Sequence, residues 1–410
     1  MTGDWSLGPT PIRTDAGHAR PLEETDRVLA GVIDRVPVTR VYDATPLDYV
    51  GLPVWGAVTP LACDLKVHAG KGATALAARI SAVMEAIERV SAERVERSRV
   101  RTATYRQLRR EHPDRVIDPC TFDLPFETGY RPDREIAWIE GYDLHDAHDV
   151  WVPLDVVISP AVEGVCTGVD TNGLAAGNTY TEAVLHALYE LIERDADAHD
   201  QFARRYGDGD MQPSLRILDP ATLEPRVAGW TDRLRAAGLT TTIRDLSHDV
   251  GVPVYRATVS DRAFPGSEGR AERFTGLGCD LDAAHAVFRA VSEAVQSHTA
   301  MLLGARDTFE RDGGFGGLDA RGLVSRLTAR SSVHPFAPTP AGELSDDLYD
   351  RLLVLLERLA AVGLRSCVVV DLARPDVAIP VVRVLVPGAA APFAKTSKRP
   401  SLRLLRSLIP

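Results

Sequence analysis

The chain lacks any apolar run approaching the ~18 residues that a membrane-spanning helix requires, so no membrane segment is expected. Its start, "MTGDWSLGPT", has neither the basic nor the apolar region of a signal peptide. Cysteines are few: five, at Cys63, Cys120, Cys166, Cys279 and Cys367, scattered and without a Cys-x-x-Cys pair. An odd, dispersed set suits reduced thiols better than a disulfide framework or a zinc cluster. Positive charge is also short. Lys and Arg total 47 against 57 Asp and Glu, a net charge of -10, which argues against a dominant nucleic-acid surface. Together these absences predict a cytoplasmic protein with neither nucleic acid nor membrane as partner. The familiar nucleotide loops are missing too. "HAGKGAT" has no first glycine at Walker spacing and no Ser or Thr directly after Lys71, and no Gly-x-Gly-x-x-Gly follows a strand.

What is present is an ordinary globular composition, 45% hydrophobic and 25% charged over 410 residues. Residues 1–19 are polar, with Gly and Pro, and read as a flexible segment. No convincing linker divides residues 20–390, which read as one catalytic domain. The tail from 391 to 410, "PFAKTSKRPSLRLLRSLIP", is the one basic stretch and reads as a mobile end or a docked helix. Apolar spacing predicts a helix in "TDRVLAGVIDRV" and a strong one from Ala75 to about Arg97, with Ile80, Met84, Ile87 and Ser91 on its packed side. "PLDYVGLPVWGAVTP" reads as an irregular crossing segment. "EIAWIEGYDL" and "DVWVPLDVVIS" read as paired strands. A second strong helix, about Thr181 to Ala203, follows the small-residue loop "TGVDTNGLAAGNTYTEA", with Thr179 as N-cap and Glu182 at the capping-box position. Helices near 221–237, 282–303 and 345–362 then alternate with strands such as "TTTIRDL", "PVYRATVSD", "RSCVVVDL" and "PVVRVLVPG". The fold class is α+β, with mixed sheets packed by helices.

The two strong helices share a pattern. "VMEAIERVSAE" carries Glu85, Glu88 and Arg89; "LYELIERDADA" carries Glu190, Glu193 and Arg194. At i, i+4 and i+7, Ser81, Glu85 and Glu88 fall on one stripe, and Glu182, His186, Glu190 and Glu193 form another. One such pair alone would read as a solvated face. Two of them, in Ala- and Leu-rich helices that follow Gly-rich loops, read as buried carboxylates. Such a group repels itself and takes up protons unless a cation neutralises it. Mg2+, completed by phosphate oxygens, is the natural guest. A di-iron oxidase competes, but its sites use Glu-x-x-His, and here arginine follows each acidic pair with no histidine at i+3.

These residues resemble the YcaO family of ATP-dependent peptide-modifying enzymes. The match includes "GKGATALAARISAVMEAIER", "NGLAAGNTYTEAVLHALYELIERDA", "AVSEAVQSHTAMLLGARD" and "IPVVRVLVPG", and runs from about Arg20 to Gly388. The resemblance implies a YcaO-type fold built around an ATP and Mg2+ site. It implies Glu85, Glu88, Glu190 and Glu193 as metal ligands, and Ser81, Asn178, Glu182 and Arg194 around the nucleotide. Lys71, Arg20 and Thr25 are further nucleotide candidates. Where the family usually shows Gln-x-Arg, this chain has Gln296, Ser297 and His298. His298 then becomes the candidate phosphate contact, with Arg306 or Arg289 as substitutes for the missing arginine and Arg194 also catalytic.

The reaction implied is phosphorylation of a backbone amide oxygen, which turns a poor leaving group into a good one. Sulfide as nucleophile would give a thioamide; a Cys or Ser side chain, an azoline; a backbone amine, an amidine. Many azoline-forming members end in PxPxP. The ending "SLRLLRSLIP" lacks it, which tilts the expectation toward thioamide formation with a TfuA-type partner, or toward stand-alone ring formers. No leader-binding domain is evident, so a partner is expected to help capture the peptide or protein substrate, and a homodimer fits the family. Cys279 is the most tempting sulfur relay, although a small buried hydrophobe is the plainer reading. A non-catalytic nucleotide- or peptide-binding partner protein is the alternative of another class.

Overall fold

The computed structural model describes residues 6–391 apart from 15, 123, 126, 167–170, 208–213, 262–271, 304–330 and 341, together with residues 400–406. In chain order the strands are β1 (Arg40–Asp43), β2 (Val54–Val58), β3 (Val67–Lys71), β4 (Val100–Thr104), β5 (Glu135–Asp143), β6 (His148–Pro153) and β7 (Leu174–Ala176). They continue as β8 (Leu215–Leu218), β9 (Thr240–Asp245), β10 (Val254–Asp261), β11 (Glu272–Cys279), β12 (Ser331–His334), β13 (Val368–Asp371) and β14 (Val381–Leu385). The helices are α1 (Leu22–Ala30), α2 (Ala75–Ser91), α3 (Tyr105–Glu111), α4 (Tyr180–Tyr206), α5 (Pro225–Ala236), α6 (Ala283–Leu302), α7 (Leu348–Ala361) and α8 (Leu402–Arg406).

Three sheets result. The first runs β1-β2-β3; the second β4-β5-β13-β14-β7, with β6 also on β5; the third β11-β10-β9-β8-β12. Pairing is antiparallel except between β12 and β8. Such mixing of helices and several sheets is the α+β class expected. Helix α2 lies on β2 and β3, α6 on β10 and β11, and α4 on β14 and β7, while β7 also touches α2. This short edge strand therefore stands beside both acidic helices.

Small residues set how closely the helices approach. A Cβ on Gly70 of β3 would land in the backbone of Ala78 and Ala82 of α2. The same holds for Gly276 and Gly278 of β11 against Ala286, Ala290 and Ala294 of α6. Glycine has no Cβ to hold the layers apart. That is why "HAGK", whose glycine suggests a loop, forms a strand. The crossing segment likewise contains β2, because Ala57 packs on Ala82 and Ala86 of α2 while Val54 is buried in the core cluster that holds α6. Helix α2 ends at Ser91 rather than near Arg97, since beyond Ala92 the charged run "ERVERSR" offers no continuous apolar stripe to the sheets.

The ends of the chain are held more firmly than their composition suggests. Among residues 1–19, expected to be flexible, Thr10 and Ile12 bond to the residues that start α7: Thr10 N to Asp347 Oδ1 at 2.9 Å and Ile12 N to the Asp346 carbonyl at 2.9 Å. Gly8 N bonds to Thr181 Oγ1 at 3.3 Å. The Thr10 carbonyl in turn accepts from Leu348 N at 2.9 Å, satisfying a donor of the helix start, a long-range role that composition cannot signal. In the basic tail, α8 docks: Arg403 reaches Asp195 and Asp249, both at 2.5 Å, and Leu404 packs on Ala198, Phe202 and Ala390.

Candidate functional site

Each acidic helix starts on a threonine that satisfies its first turn. Thr74 Oγ1 accepts from Ala77 N at 3.2 Å, and Thr179 Oγ1 accepts from Glu182 N at 3.1 Å. The caps fix the rotation with which α2 and α4 present their stripes. Glu85, Glu88 and Glu190 are half-buried, while Glu193 is buried at 3% exposure. Glu88 Oε2 accepts from Ala176 N of β7 at 3.2 Å, which fixes the end of the first ridge beside the second.

The ridges act on each other. Burial pushes Glu88 well above the ordinary carboxylate range, and repulsion from Glu190 and Glu85 pushes it further. Glu85 is raised chiefly by burial, against the pull of Arg89 and Lys71, with Glu190 adding repulsion. Glu193 is pushed up to about 7, first by burial and then by Glu293. Arg194 lies 3.9 Å from both Glu190 and Glu193 and neutralises only part of this charge. The described site thus concentrates negative charge at half-open positions, with oxygen as its donor. That donor set fits Mg2+, a hard ion that takes carboxylates together with substrate phosphates.

The other expected residues divide. Lys71, at the end of β3, joins the ridge region: its Nζ bonds Glu293 Oε2 at 2.9 Å and its charge reaches Glu85. Ser81 sits one turn before Glu85 on the same helix, half-buried. Gln296 Nε2 donates to the Ala69 carbonyl and so ties α6 to β3. Thr25, Asn178 and Glu182 come together as one connected group. Thr25 Oγ1 donates to Asn178 Oδ1 at 2.8 Å, and Asn178 Nδ2 donates to Glu182 Oε1 and Oε2 at 3.0 and 3.2 Å. The Glu182 side chain therefore spends its oxygens here rather than closing a capping box. Arg20 stays 36% exposed, 3.9 Å from Glu24.

His298 overturns its expected role. It is fully buried, with Nδ1 2.8 Å from Asp48 Oδ2 and Nε2 3.3 Å from Asp261 Oδ2. Both ring nitrogens already face carboxylates, so neither is presented to a phosphate. Burial alone would lower its pKa, but the two aspartates raise it, as expected of an imidazolium serving a structural ion pair. Arg306 lies outside the described residues. Arg289 is held among acids: the charges of Glu193, Asp280 and Glu293 raise it against the cost of its burial.

Three participants escaped the sequence reading. Glu293 has no acidic partner at i±3 on its helix, so no ridge announces it. Arg256 of β10 pairs with Asp197 and Asp200 of α4, and lies close enough to Arg194 that burial and that like charge together lower it to about 10. His18 sits in the supposedly flexible segment, yet its Nδ1 is 3.1 Å from Glu182 Oε1. Cys279 is buried, and burial with the charges of Glu193 and Asp280 keeps its thiol protonated, as suits a small hydrophobe.

Comparison with known proteins places the chain in a family. The family model described as "YcaO cyclodehydratase, ATP- and Mg2+-binding" matches residues 69–390. An uncharacterized protein of Methanothermobacter thermautotrophicus is 34% identical over 404 residues, 94% of this chain and 98% of its own. A protein of Rhizobium leguminosarum bv. trifolii, described as lying in the tfuA 3' region, is 33% identical over 86% of this chain and 83% of its own. The structure of YcaO from Methanopyrus kandleri bound with AMPPCP and Mg2+ matches with a TM-score of 0.67 at 25% identity, over 93% of this chain and 95% of that one. A heterocyclase in complex with substrate and cofactor gives a TM-score of 0.76 at 22% identity, a likeness of fold, over 95% of this chain and 55% of that one. The chain belongs to the YcaO family, and the ATP and Mg2+ expected from its sequence are the ligands by which that family is described.

Proposed function

We propose that the protein uses ATP to activate a backbone amide of a peptide or protein, and that sulfide then replaces the amide oxygen to give a thioamide. The observation that supports the ATP half is the mutual repulsion of the α2 and α4 carboxylates, which a bound divalent cation relieves while keeping them ionised. Glu85, Glu88, Glu190 and Glu193 would hold Mg2+, which supplies charge neutralisation for the phosphates. Arg194 and Lys71, which lie beside these glutamates, would supply positive charge to the phosphate oxygens. Addition of hydrosulfide to the amide carbon creates an oxyanion. That oxygen takes the γ-phosphoryl group, releasing ADP, and leaves as phosphate when the C=S bond forms. The tfuA-region relative supports sulfide as nucleophile, and a TfuA-type protein as partner.

A second reading, cyclodehydration by a Cys or Ser side chain of the substrate, is favoured by the family's description as cyclodehydratase. Two measurements test the proposal. Titration calorimetry should give ATP binding that requires Mg2+ and is lost in Glu193→Gln; undiminished affinity in that variant rejects the site. Mass spectrometry of proteome digests from cells with and without the gene should reveal a peptide heavier by the difference between sulfur and oxygen. A peptide lighter by one water selects ring formation instead.

A further inference from the structure

Arg256 carries a buried positive charge that the chemistry proposed above does not use. On β10, Tyr255, Ala257 and Val259 alternate into the core that α6 covers, so Arg256 projects from the opposite face of the sheet, toward α4. There it pairs with Asp197, and its Nη1 lies 3.6 Å from Asp200 Oδ2. We propose that, given the phosphate role of Arg194 proposed above, Arg256 is a positioning residue: by occupying Asp197 and repelling Arg194, it keeps the Arg194 guanidinium turned toward the glutamate ridge.

The need for it arises within α4. Arg194 and Asp197 stand three residues apart on the helix, close enough for their side chains to meet. Asp197 is buried, and its Oδ2 accepts only a neutral donor, Gln201 Nε2, at 2.8 Å. A buried carboxylate that loses its cation takes up a proton or draws in another positive charge. Arg194 is within reach, one turn back on the same helix. The other arginines nearby are engaged elsewhere: Arg204 Nε and Arg244 Nη2 both donate to Asp200 Oδ1, at 2.8 and 2.6 Å. A turn onto Asp197 would take Arg194 away from Glu190 and Glu193, each now 3.9 Å from its Nε.

Arg256 also acts on Arg194 directly. Burial and the charge of Arg194 lower Arg256 to about 10, which leaves it a cation at neutral pH, so each guanidinium stands in the field of the other. Repulsion displaces the less confined partner. The Arg256 side chain is 17% exposed and clamped by two carboxylates, whereas that of Arg194 is 34% exposed. Arg256 in turn is fixed by its sheet. It lies directly opposite Arg244 on β9, a like-charge pair that is unfavourable unless acids intervene, and Asp197 and Asp200 supply them.

The test is calorimetric titration of full-length variants with ATP in excess Mg2+, with circular dichroism to check folding. Arg194→Met should weaken binding roughly 10–100-fold, as loss of one hydrogen bond to a charged group does, and Arg256→Met should weaken it by a similar factor. Three readouts separate positioning from structural support. Adding Arg256→Met to Arg194→Met should cause no further loss, since nothing is left to position. Adding Asp197→Asn to Arg256→Met should restore affinity, because the competing carboxylate is gone. Arg256→Lys, which keeps the charge, should bind ATP as the unaltered chain does. Should Arg256→Met fail to fold, Arg256→Gln, which keeps a donor for Asp197 without the charge, takes its place with the same expectations. Undiminished affinity in the folded Met or Gln variant, additive losses with Arg194→Met, or no recovery with Asp197→Asn overturns the proposal. If Arg194→Met itself binds ATP normally, the phosphate role of Arg194 falls and the positioning role falls with it. If Arg194→Met is impaired and Arg256→Met is not, the nucleotide site stands and the positioning role alone is rejected.

Discussion

Charge buried among like charges distinguishes the ridge glutamates from other acidic residues of the chain. Glu193 is 3% exposed and pushed up to about 7, so at neutral pH without metal it weakens the fold. Glu193→Gln should therefore stabilise the metal-free protein by about 1–3 kcal/mol in urea denaturation while removing Mg2+-dependent ATP binding. A merely structural glutamate would destabilise when changed. Asp48 presents the opposite case. It accepts from His298, Thr299 and Val50 in a fully buried site, and Asp261 completes the pair. Asp48→Ala should cost about 3–5 kcal/mol, because a buried cation and two donors lose their partner. The sequence places His298 where a phosphate ligand is expected; it does not reveal Asp48, 250 residues away, as its partner.

At the scale of elements, the caps and stripes of α2 and α4 are legible because they are local. A threonine three residues before a backbone donor, and apolar residues at 3.6 spacing, act within one helix. Strands β3 and β11 are not, because they depend on a helix lying against glycines whose usual reading is a turn. Gly278→Ala tests this dependence. The added methyl meets the Ala286 carbonyl and Ala290 N, which are backbone and cannot rotate away. The variant should lose about 1–3 kcal/mol or more in chemical denaturation. It should also weaken Mg2+–ATP binding, since α6 carries Glu293 and Arg289 to the site.

For the whole molecule, the ridge imposes a pH signature. Glu88 and Glu193 titrate above their ordinary 4.5 in the folded chain. Between that value and about 7, the folded state holds protons that the unfolded state has released, so this contribution to stability falls as pH rises. Mg2+ binds the deprotonated form. Its increment in Tm should accordingly be larger at about pH 8 than at about pH 5.5, as scanning calorimetry can measure. Glu182 works in the opposite sense at the acid end. Held at about 2, it contributes stability above 4.5 that is lost as pH falls through its folded value. An increment independent of pH would mean that the ridge does not bind the ion.

The amino-acid order alone determined the helices, their caps, the carboxylate type at four positions and the family likeness, because each is written in neighbours within a few turns. Only the tertiary structure decided that Glu88 and Glu190 repel each other, that His298 is sealed between two aspartates, and that His18 reaches Glu182. Those outcomes depend on contacts between residues tens to hundreds of positions apart. Packing of helices onto sheets sets such contacts, and no local spacing encodes them.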